Sequence, residues 1–363
     1  MMEGKKKILI DLERLRYPNS GIANVFKNLV FGLLSFSQVN KLKVSLYGPQ
    51  EILADLKTGF EIRKRKTIHK LVPFYTYKYH IIHTSHQLSS YFHFKKSGQK
   101  KVVTLHDLNF IHEKISKKKY NKELKKVQKN IYNADVIVFI SEFVKQDFLE
   151  NKKLFSFKKE PALKVVYNGI LFPDITINYN LGSYRFLASK KYILNIGVLF
   201  RKKNQLSLVR MLPHIEEDLV LVISDCNQEY FKIVKEEIKC LSVEHRVHFC
   251  HNVSDEEKWA LIKYSTCMCH PSTAEGFGIP PIEAMVFGKP VFLSTKTSLP
   301  EIGGSLAFYF QNFDSDHMVA VYKNGMQEFY DNETEYQENL IRWSKKFDYK
   351  MMAKAYLEIY KEL

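Results

Sequence analysis

Two doubly wound α/β domains in one chain of 363 residues is the fold class that the sequence predicts. Short apolar runs alternate throughout with longer amphipathic stretches, the pattern of parallel strands covered by helices. The alternation also runs twice, with a polar stretch of neither period between the two series. Composition agrees: 45% apolar, 13% aromatic and 26% charged residues describe an ordered globular chain, and exclude disorder, a collagen-like chain and a small disulfide scaffold.

In the first series the strand candidates are 7–12 (KILIDL), 43–48, 80–85, 102–107 (VVTLHD), 136–141 (VIVFIS) and 164–167, with helical patterns at 22–36, 117–132 and 142–150. The second series has strands at 192–197 (YILNIG), 219–224, 247–250, 267–270, 290–294 and 306–310. The reading is therefore a first domain over 1–175, a linker over 176–190 and a second domain over 191–346. In the closing segment, 347–363, Met351, Met352, Tyr356, Ile359 and Tyr360 recur at spacings that give one apolar helical face.

Charge divides the chain unequally. Residues 1–185 hold 34 basic and 15 acidic side chains and residues 186–363 hold 21 and 24, so the whole +16 comes from the first half. A basic half faces something anionic: nucleic acid, a membrane surface or a phosphate-bearing substrate. All five cysteines (Cys226, Cys240, Cys250, Cys267, Cys269) lie in the second half, and an odd number fits reduced thiols in a cytoplasmic protein. The longest apolar run, 29–36, is far short of the roughly 20 residues of a membrane span, and Asp11 interrupts the only candidate signal region. The expectation is a cytoplasmic chain that touches a membrane only at its inner face.

The most informative segment is 271–290, PSTAEGFGIPPIEAMVFGKP. It follows a strand candidate and precedes a helix candidate at 282–287, so its glycine-containing turn offers backbone N–H groups and the positive end of a helix dipole to an anion. The amides of Phe277, Gly278 and Ile279 are placed to hold a phosphate. Glu275 lies ahead of the turn and Glu283 in the first helical turn, and carboxylates accept hydrogen bonds from sugar hydroxyls. The competing reading is two acids that cap a helix and face water.

Glu275-Gly276-Phe277-Gly278 with Glu283, then Ala284-Met285, Gly288-Lys289-Pro290-Val291 and Leu299-Pro300-Glu301-Ile302-Gly303-Gly304, resemble the donor site of glycosyltransferase family 4, whose fold is GT-B, two Rossmann-like domains. Asp11, Ser20-Gly21-Ile22, Val103-Thr104-Leu105-His106-Asp107-Leu108, Ala134-Asp135, Ile140-Ser141-Glu142-Phe143, Tyr167-Asn168-Gly169, Gly197 and Lys202-Lys203-Asn204 follow in the family's order. The resemblance implies a retaining transferase that moves a sugar from a nucleotide diphosphate donor to an acceptor hydroxyl, with no metal or other cofactor. It also implies a C-terminal helix that crosses back to the first domain.

Carried over by position, the resemblance assigns Glu283 to the donor ribose, Glu275 to the hydroxyls of the transferred sugar and Gly276, Phe277, Gly278 and Ile279 to donor sugar and phosphates. Lys203 falls to the leaving diphosphate, a role that suits a lysine point charge. Lys202 stands where the family has arginine and Arg201 lies one position earlier, so both are candidates for the diphosphate. Ser224-Asp225-Cys226-Asn227 replaces a glycine-containing turn of the family. In the first domain, His106 ends a strand where open parallel sheets bind ligands, and the resemblance places it beside the donor sugar. Gly21, between a strand and a helix, repeats the anion-site logic of Gly278. His106, Glu275 and Lys203 are thus the catalytic candidates. No residue is placed as a nucleophile for double displacement, which favours front-face substitution with the leaving phosphate accepting the proton.

Two other signals are discounted. Asp314-Ser315-Asp316 matches a metal-binding Asp-X-Asp pattern but precedes a helix, where it reads as an N-cap. Cys267-Met268-Cys269-His270 lacks the spacing of a structural zinc site.

From Ile62 to His106 there is no acidic residue, while Arg63, Lys64, Arg65, Lys66, Lys70 and Lys78 interleave with Phe74, Tyr75, Tyr77, Tyr79, Tyr91, Phe92 and Phe94. Basic side chains with interfacial aromatics suit an anionic bilayer, where a lipid-linked or glycan acceptor would be presented. The function expected is hexose transfer, with a preference for GDP-mannose resting on the family's bacterial mannosyltransferases, in cell-surface polysaccharide or lipopolysaccharide synthesis. The alternatives are a nucleotide-sugar epimerase or sugar phosphorylase of the same fold and, from another class, a nucleic-acid-binding protein. The last would leave Glu275, Glu283 and Lys203 without purpose, so no nucleic acid is expected as partner.

Overall fold

The computed structural model describes residues 5–17, 21–36, 39, 42–113 and 115–363; Ser20 lies outside them. The chain forms two compact units, Met1–Leu171 with Phe347–Leu363, and Phe172–Lys346. In the first unit, β1 (Lys6–Asp11), β2 (Leu42–Gly48), β3 (Glu61–Lys64), β4 (Ile81–Thr84), β5 (Lys100–Leu105), β6 (Val136–Phe139) and β7 (Ala162–Val165) form one parallel sheet in the order β3-β2-β1-β4-β5-β6-β7. Strand order reverses between β1 and β4. In such sheets, ligands bind outside the carboxyl ends at that reversal.

Sequence reading misses β3 because Glu61-Ile62-Arg63-Lys64 has one apolar residue; as an edge strand it pairs only with β2. His106 and Asp107 lie just past the end of β5 instead of inside it.

The helix Tyr349–Glu362 belongs to the first unit and docks on the helix Gly21–Leu34. The approach requires glycine: a Cβ on Gly32 would stand 2.6 Å from Ala353 Cβ, and one on Gly169 2.5 Å from Tyr349 Cα. Asn28 Nδ2 donates to the Gly169 carbonyl at 3.0 Å, and Ile170 and Asp348 form a short parallel bridge through Ile170 N–H to Phe347 O (2.8 Å) and Tyr349 N–H to Ile170 O (3.1 Å). Beneath the helix, His83 Nδ1 meets Tyr360 OH at 2.7 Å, His83 Nε2 meets Thr104 Oγ1 at 2.8 Å and Thr104 meets Tyr356 OH at 2.8 Å. Burial pushes His83 down to about 3, so the network is neutral and its polar atoms are satisfied inside the core.

In the second unit, β8 (Tyr192–Leu199), β9 (Asp218–Cys226), β10 (Val247–His251), β11 (Cys267–His270), β12 (Val291–Ser294) and β13 (Phe308–Phe310) form a parallel sheet in the order β10-β9-β8-β11-β12-β13. The reversal falls between β8 and β11. Fully buried Tyr192, Ile193 and Leu194 of β8 and Cys267, Met268 and Cys269 of β11 make its centre.

The stretch read as a linker, 176–190, is instead part of the second unit. Leu181 and Leu187 are buried in its core, Lys263 Nζ donates to the carbonyls of Ile175 (3.1 Å) and Ile177 (2.6 Å), and Tyr184 OH donates to His251 O at 2.7 Å. Polar side chains that suggested a free linker are anchors onto neighbouring backbone.

Candidate active site

At the reversal of the second sheet, two loops meet. After β8 the chain makes one tight turn, Arg201–Lys203, closed by Asn204 in the left-handed conformation (φ 55°), before the helix Gln205–Met211. After β11 it runs through 271–278. Thr273 N–H donates to Lys202 O at 2.7 Å and joins the loops. The result is a charged cluster: Lys203 Nζ is paired with Glu275 Oε1, and His270 Nε2 lies 2.7 Å from the same oxygen.

Lys203 and Glu275 are largely buried, at 16% and 13% side-chain exposure, and His270 is fully so. Burial works to raise the Glu275 carboxyl, but the Lys203 charge and the His270 hydrogen bond overrule it and hold the group well below the carboxylate range. His270 is pushed down by burial, so it donates to Glu275 as a neutral imidazole. Its Nδ1 is buried with no partner among the described residues.

The turn at 275–279 is held from a third loop. Glu275 N–H donates to Thr297 Oγ1 at 3.0 Å, and Ser298 Oγ lies 2.7 Å from Phe277 O and 3.1 Å from Glu275 O. Gly278 has φ 116°, and a Cβ there would meet Leu299 Cδ2 at 2.9 Å, so both backbone and space ask for glycine. The following helix is Ile279–Val286 and begins three residues before the expected 282. Pro280 and Pro281 fit its first turn, where N–H groups have no intrahelical acceptor. Glu283 consequently sits in the second turn, not the first. It is buried and paired with Lys258 Nζ at 2.8 Å, apart from the ion pair of Glu275 with Lys203.

Arg201 and Lys203 separate clearly. Arg201 Nη2 pairs with Glu229 Oε1 at 3.0 Å with both side chains exposed, while Lys203 turns inward to Glu275. Lys202 contributes its carbonyl to Thr273. Asn227, from the segment that departs from the family pattern, caps the helix Gln228–Cys240 by accepting from Tyr230 N–H at 2.9 Å.

The first unit repeats the position with different chemistry. Past β5, His106 Nε2 donates to Ser85 O at 2.8 Å, and its N–H donates to Gln87 Oε1 at 3.1 Å. Asp11 ends β1 and accepts from Glu13 N–H at 3.0 Å and from Ser89 Oγ at 3.1 Å. Burial pushes Asp11 up to about 7 and His106 down to about 4. His86, 5.6 Å from His106 between ring centres, accepts at Nδ1 from Arg14 (3.2 Å) and Leu88 N–H (3.1 Å). Gly21 opens the helix Gly21–Leu34.

The basic stretch is partly corrected. Tyr75, Tyr79, Tyr91 and Phe92 are not interfacial: they pack with Leu9, Tyr47 and Ile82 in a buried cluster. Period alone does not distinguish a core tyrosine from a surface one. Lys78 is paired with Glu61 at 2.7 Å, and Arg65 donates to Tyr91 OH at 2.9 Å. Lys64, Lys66 and Lys70 are exposed beside Ile68 (53%), Leu71 (75%) and Phe74 (71%). Arg63 lies on β3 with Nε buried.

Asp314 caps the helix Ser315–Asp331, accepting from Asp316 N–H (3.1 Å) and His317 N–H (3.2 Å). Cys267 and Cys269 are buried in β11 with sulfurs 3.9 Å apart, and all five cysteines are free. Among the described residues no group of three or more metal-ligating side chains forms, and no helix is long and apolar enough to cross a membrane. His270 and Lys258 went unnoticed as site residues. His270 could have been found, since it ends a strand five residues before Glu275; Lys258 carries no local signal on its helix, Asp255–Tyr264.

Comparison with known proteins bears on the fold and the class of protein. The family model described as Glycosyl transferases group 1 matches residues 182–347. The chain is 24% identical over 355 residues to O-antigen chain mannosyltransferase B of Escherichia coli, covering 89% of this chain and 91% of that one. It is 25% identical over 227 residues to O-antigen chain mannosyltransferase RfbU of Salmonella typhimurium, a match that spans 61% of this chain and 60% of RfbU. The structure of Anabaena Alr3699/HepE in complex with UDP-glucose aligns over 98% of this chain and all of that one, with TM-score 0.72 at 19% identity. That likeness shows the fold, which is GT-B. The stretch that matches the glycosyl transferases of group 1, 182–347, is the one that carries Lys203, His270, Glu275 and Glu283.

Proposed function

We propose that the chain is a group 1 glycosyl transferase that moves a hexose, with retention, from a nucleotide diphosphate sugar to a glycan or lipid-linked acceptor in cell-surface polysaccharide synthesis. The observation that carries the reading is the Lys203–Glu275–His270 cluster at the reversal of the second sheet. Lys203 supplies the positive charge that a departing diphosphate needs as the glycosidic bond breaks. Glu275 uses Oε1 for Lys203 and His270; a carboxylate accepts about four hydrogen bonds, so capacity remains for sugar hydroxyls. Glu283, steadied by Lys258, takes the ribose in the same way. Gly278 and Ile279 lie at the start of a helix, the dipole end that favours phosphate.

In the front-face reaction the bond from the anomeric carbon to the phosphate oxygen breaks as the bond to the acceptor oxygen forms on the same side. The acceptor proton passes to the leaving phosphate. Such a step asks for positioning and charge stabilisation, not for a protein nucleophile or metal. Neutral His106, with Nε2–H committed to Ser85 O, offers Nδ1 as an acceptor for a hydroxyl. The relatives named as mannosyltransferases support mannose as the transferred sugar, for which GDP-mannose is the donor proposed, and favour transfer over epimerisation or phosphorolysis.

Incubation with GDP-, UDP- and dTDP-sugars, reading nucleoside diphosphate release and the anomeric configuration of the product, tests the assignment. GDP-mannose is expected to react and the product to keep the donor's configuration. An inverted product would overturn the mechanism, and turnover of UDP-glucose alone would overturn the donor. Membrane contact rests on exposed Ile68, Leu71 and Phe74 beside Lys64, Lys66 and Lys70. Co-sedimentation with vesicles that is indifferent to anionic lipid content would refute it.

A further inference from the structure

The first unit holds a second concave site that the transfer reaction does not use. It is a cavity of about 1070 Å3 lined by the loop 93–100, the last turns of the helix Lys117–Ile131 and the segment 154–159. Lys100 begins β5, Asp135 precedes β6, and Lys158 and Lys159 precede β7, so the cavity lies at the amino ends of these strands. Asp11 and His106 lie at the carboxyl ends, the opposite edge of the same sheet.

Seven lysines line the cavity with one acid, Asp135. That carboxylate is already engaged: Oδ2 receives Lys95 Nζ at 2.5 Å and Lys101 N–H at 2.7 Å. Lys96 Nζ donates to Tyr77 O at 3.3 Å. Lys100, Lys125, Lys129, Lys158 and Lys159 have no ion pair among the described residues, although charged neighbours elsewhere on the unit are paired. Between them lie the exposed rings of Phe94 and Tyr132. Nearby, Lys101 is fully buried with its Nζ on Asn133 Oδ1 at 3.1 Å, and burial pushes its ammonium down to about 7, so it adds no fixed charge to the wall.

Five cations held around one hollow without counter-charges repel one another, and a ligand carrying several anions relieves that repulsion. Lysine heads are point charges that accept carboxylate or phosphate without a fixed geometry. The volume stands at the top of the ~300–1,000 Å3 range of small-molecule sites, room for a chain of linked units. A concave wall fits a chain better than a flat bilayer.

We propose that this cavity binds an anionic oligosaccharide, a glycan chain bearing repeated carboxylate or phosphate groups, and so holds the growing glycan away from the transfer site. That the chain is a glycan rests on the glycosyltransferase reading above; that the cavity takes a polyanion rests on its own lysines.

The test is fluorescence anisotropy on the full chain with labelled oligogalacturonate as the carboxylate probe and a phosphomannan oligosaccharide as the phosphate probe. Neutral dextran, single-stranded DNA and phosphatidylglycerol vesicles serve as comparators. At least one charged glycan is expected to bind, dextran not, with affinity falling steeply as salt rises. The preferred probe identifies the anion. The exposed pairs Lys125→Ala/Lys129→Ala and Lys158→Ala/Lys159→Ala should each weaken binding by about tenfold or more while leaving nucleoside diphosphate binding unchanged. Absence of saturable glycan binding, equal binding by the variants, or tighter binding of DNA or vesicles would overturn the proposal. Glycan binding that persists in a chain unable to use any nucleotide sugar would refute the transferase reading and leave the polyanion site standing.

Discussion

The two units present the same architectural position with opposite electrostatics. Each gathers polar side chains at the carboxyl ends of a parallel sheet, where strand order reverses. In the second unit the group is ionic: Lys203 and Glu275 are paired, and Glu283 is paired with Lys258. In the first, burial works against charge: Asp11 is pushed up to about 7, His106 down to about 4, and His86, which accepts from Arg14, is also lowered. Burial acts on both, but only the second supplies each buried acid with a lysine. The contrast fits the function proposed above, in which a diphosphate needs fixed charge and sugar hydroxyls need donors and acceptors that do not demand counter-ions.

The largest effect that would test this contrast is kinetic. Glu275→Gln and Lys203→Ala are each expected to lower kcat by about 10²–10³, the scale of losing one preorganised charge contact. His106→Ala should cost less, about tenfold, because it removes a neutral hydrogen-bonding group. Nucleoside diphosphate release measures all three, and a His106 loss larger than that of Lys203 would break the contrast.

Stability should follow the same division. Lys203→Met leaves Glu275 buried without its cation, and is expected to cost about 3 kcal/mol in urea unfolding. Lys203→Met/Glu275→Met should recover most of that loss but none of the activity. If the double variant were no more stable than the single, the pair would not be the ionic unit described.

The pH dependence has opposite signs in the two sites. Glu275, held low, contributes stability that is present above the unfolded value of 4.5 and fades as pH falls below it. Asp11, raised from 3.8 to about 7, contributes stability at low pH that is lost as pH rises between those values. Asp11→Asn should therefore gain on the order of 1 kcal/mol or more over the parent at pH 8 and little at pH 4. A gain that did not shrink with falling pH would contradict a protonated Asp11.

The smallest effect is expected at Arg201. Its pair with Glu229 is exposed on both sides, so Arg201→Ala should change stability by less than about 0.5 kcal/mol. Donor affinity should change far less than in Lys203→Ala. A loss equal to that of Lys203 would return Arg201 to the diphosphate.

Much of this was readable from local pattern. Alternating apolar runs located twelve of the thirteen strands among the described residues. The spacing from Glu275 through Gly278 to Glu283 marked the strand-to-helix turn, which the structure places between β11 and the helix Ile279–Val286. The failures have a common cause. β3 is an edge strand whose pairing, not its apolarity, makes it a strand. The segment 176–190 looked free because its anchors, Lys263 and His251, lie far along the sequence. Tyr75, Tyr79, Tyr91 and Phe92 looked interfacial because a tyrosine reads alike on either side of a surface.

The sequence by itself determined that there are two doubly wound units, where a glycine-containing strand-to-helix turn lies between two acids and which half carries the charge. These follow from period, glycine placement and composition, all of which are local. Only the tertiary structure decided which charges meet. Lys203 lies 72 residues from Glu275 and Lys258 lies 25 from Glu283, and nothing in the local chain distinguishes inward-turned Lys203 from outward-turned Arg201. Ion pairing and burial depend on distances in space, and it is the reversal of strand order that brings the ends of β8 and β11 side by side.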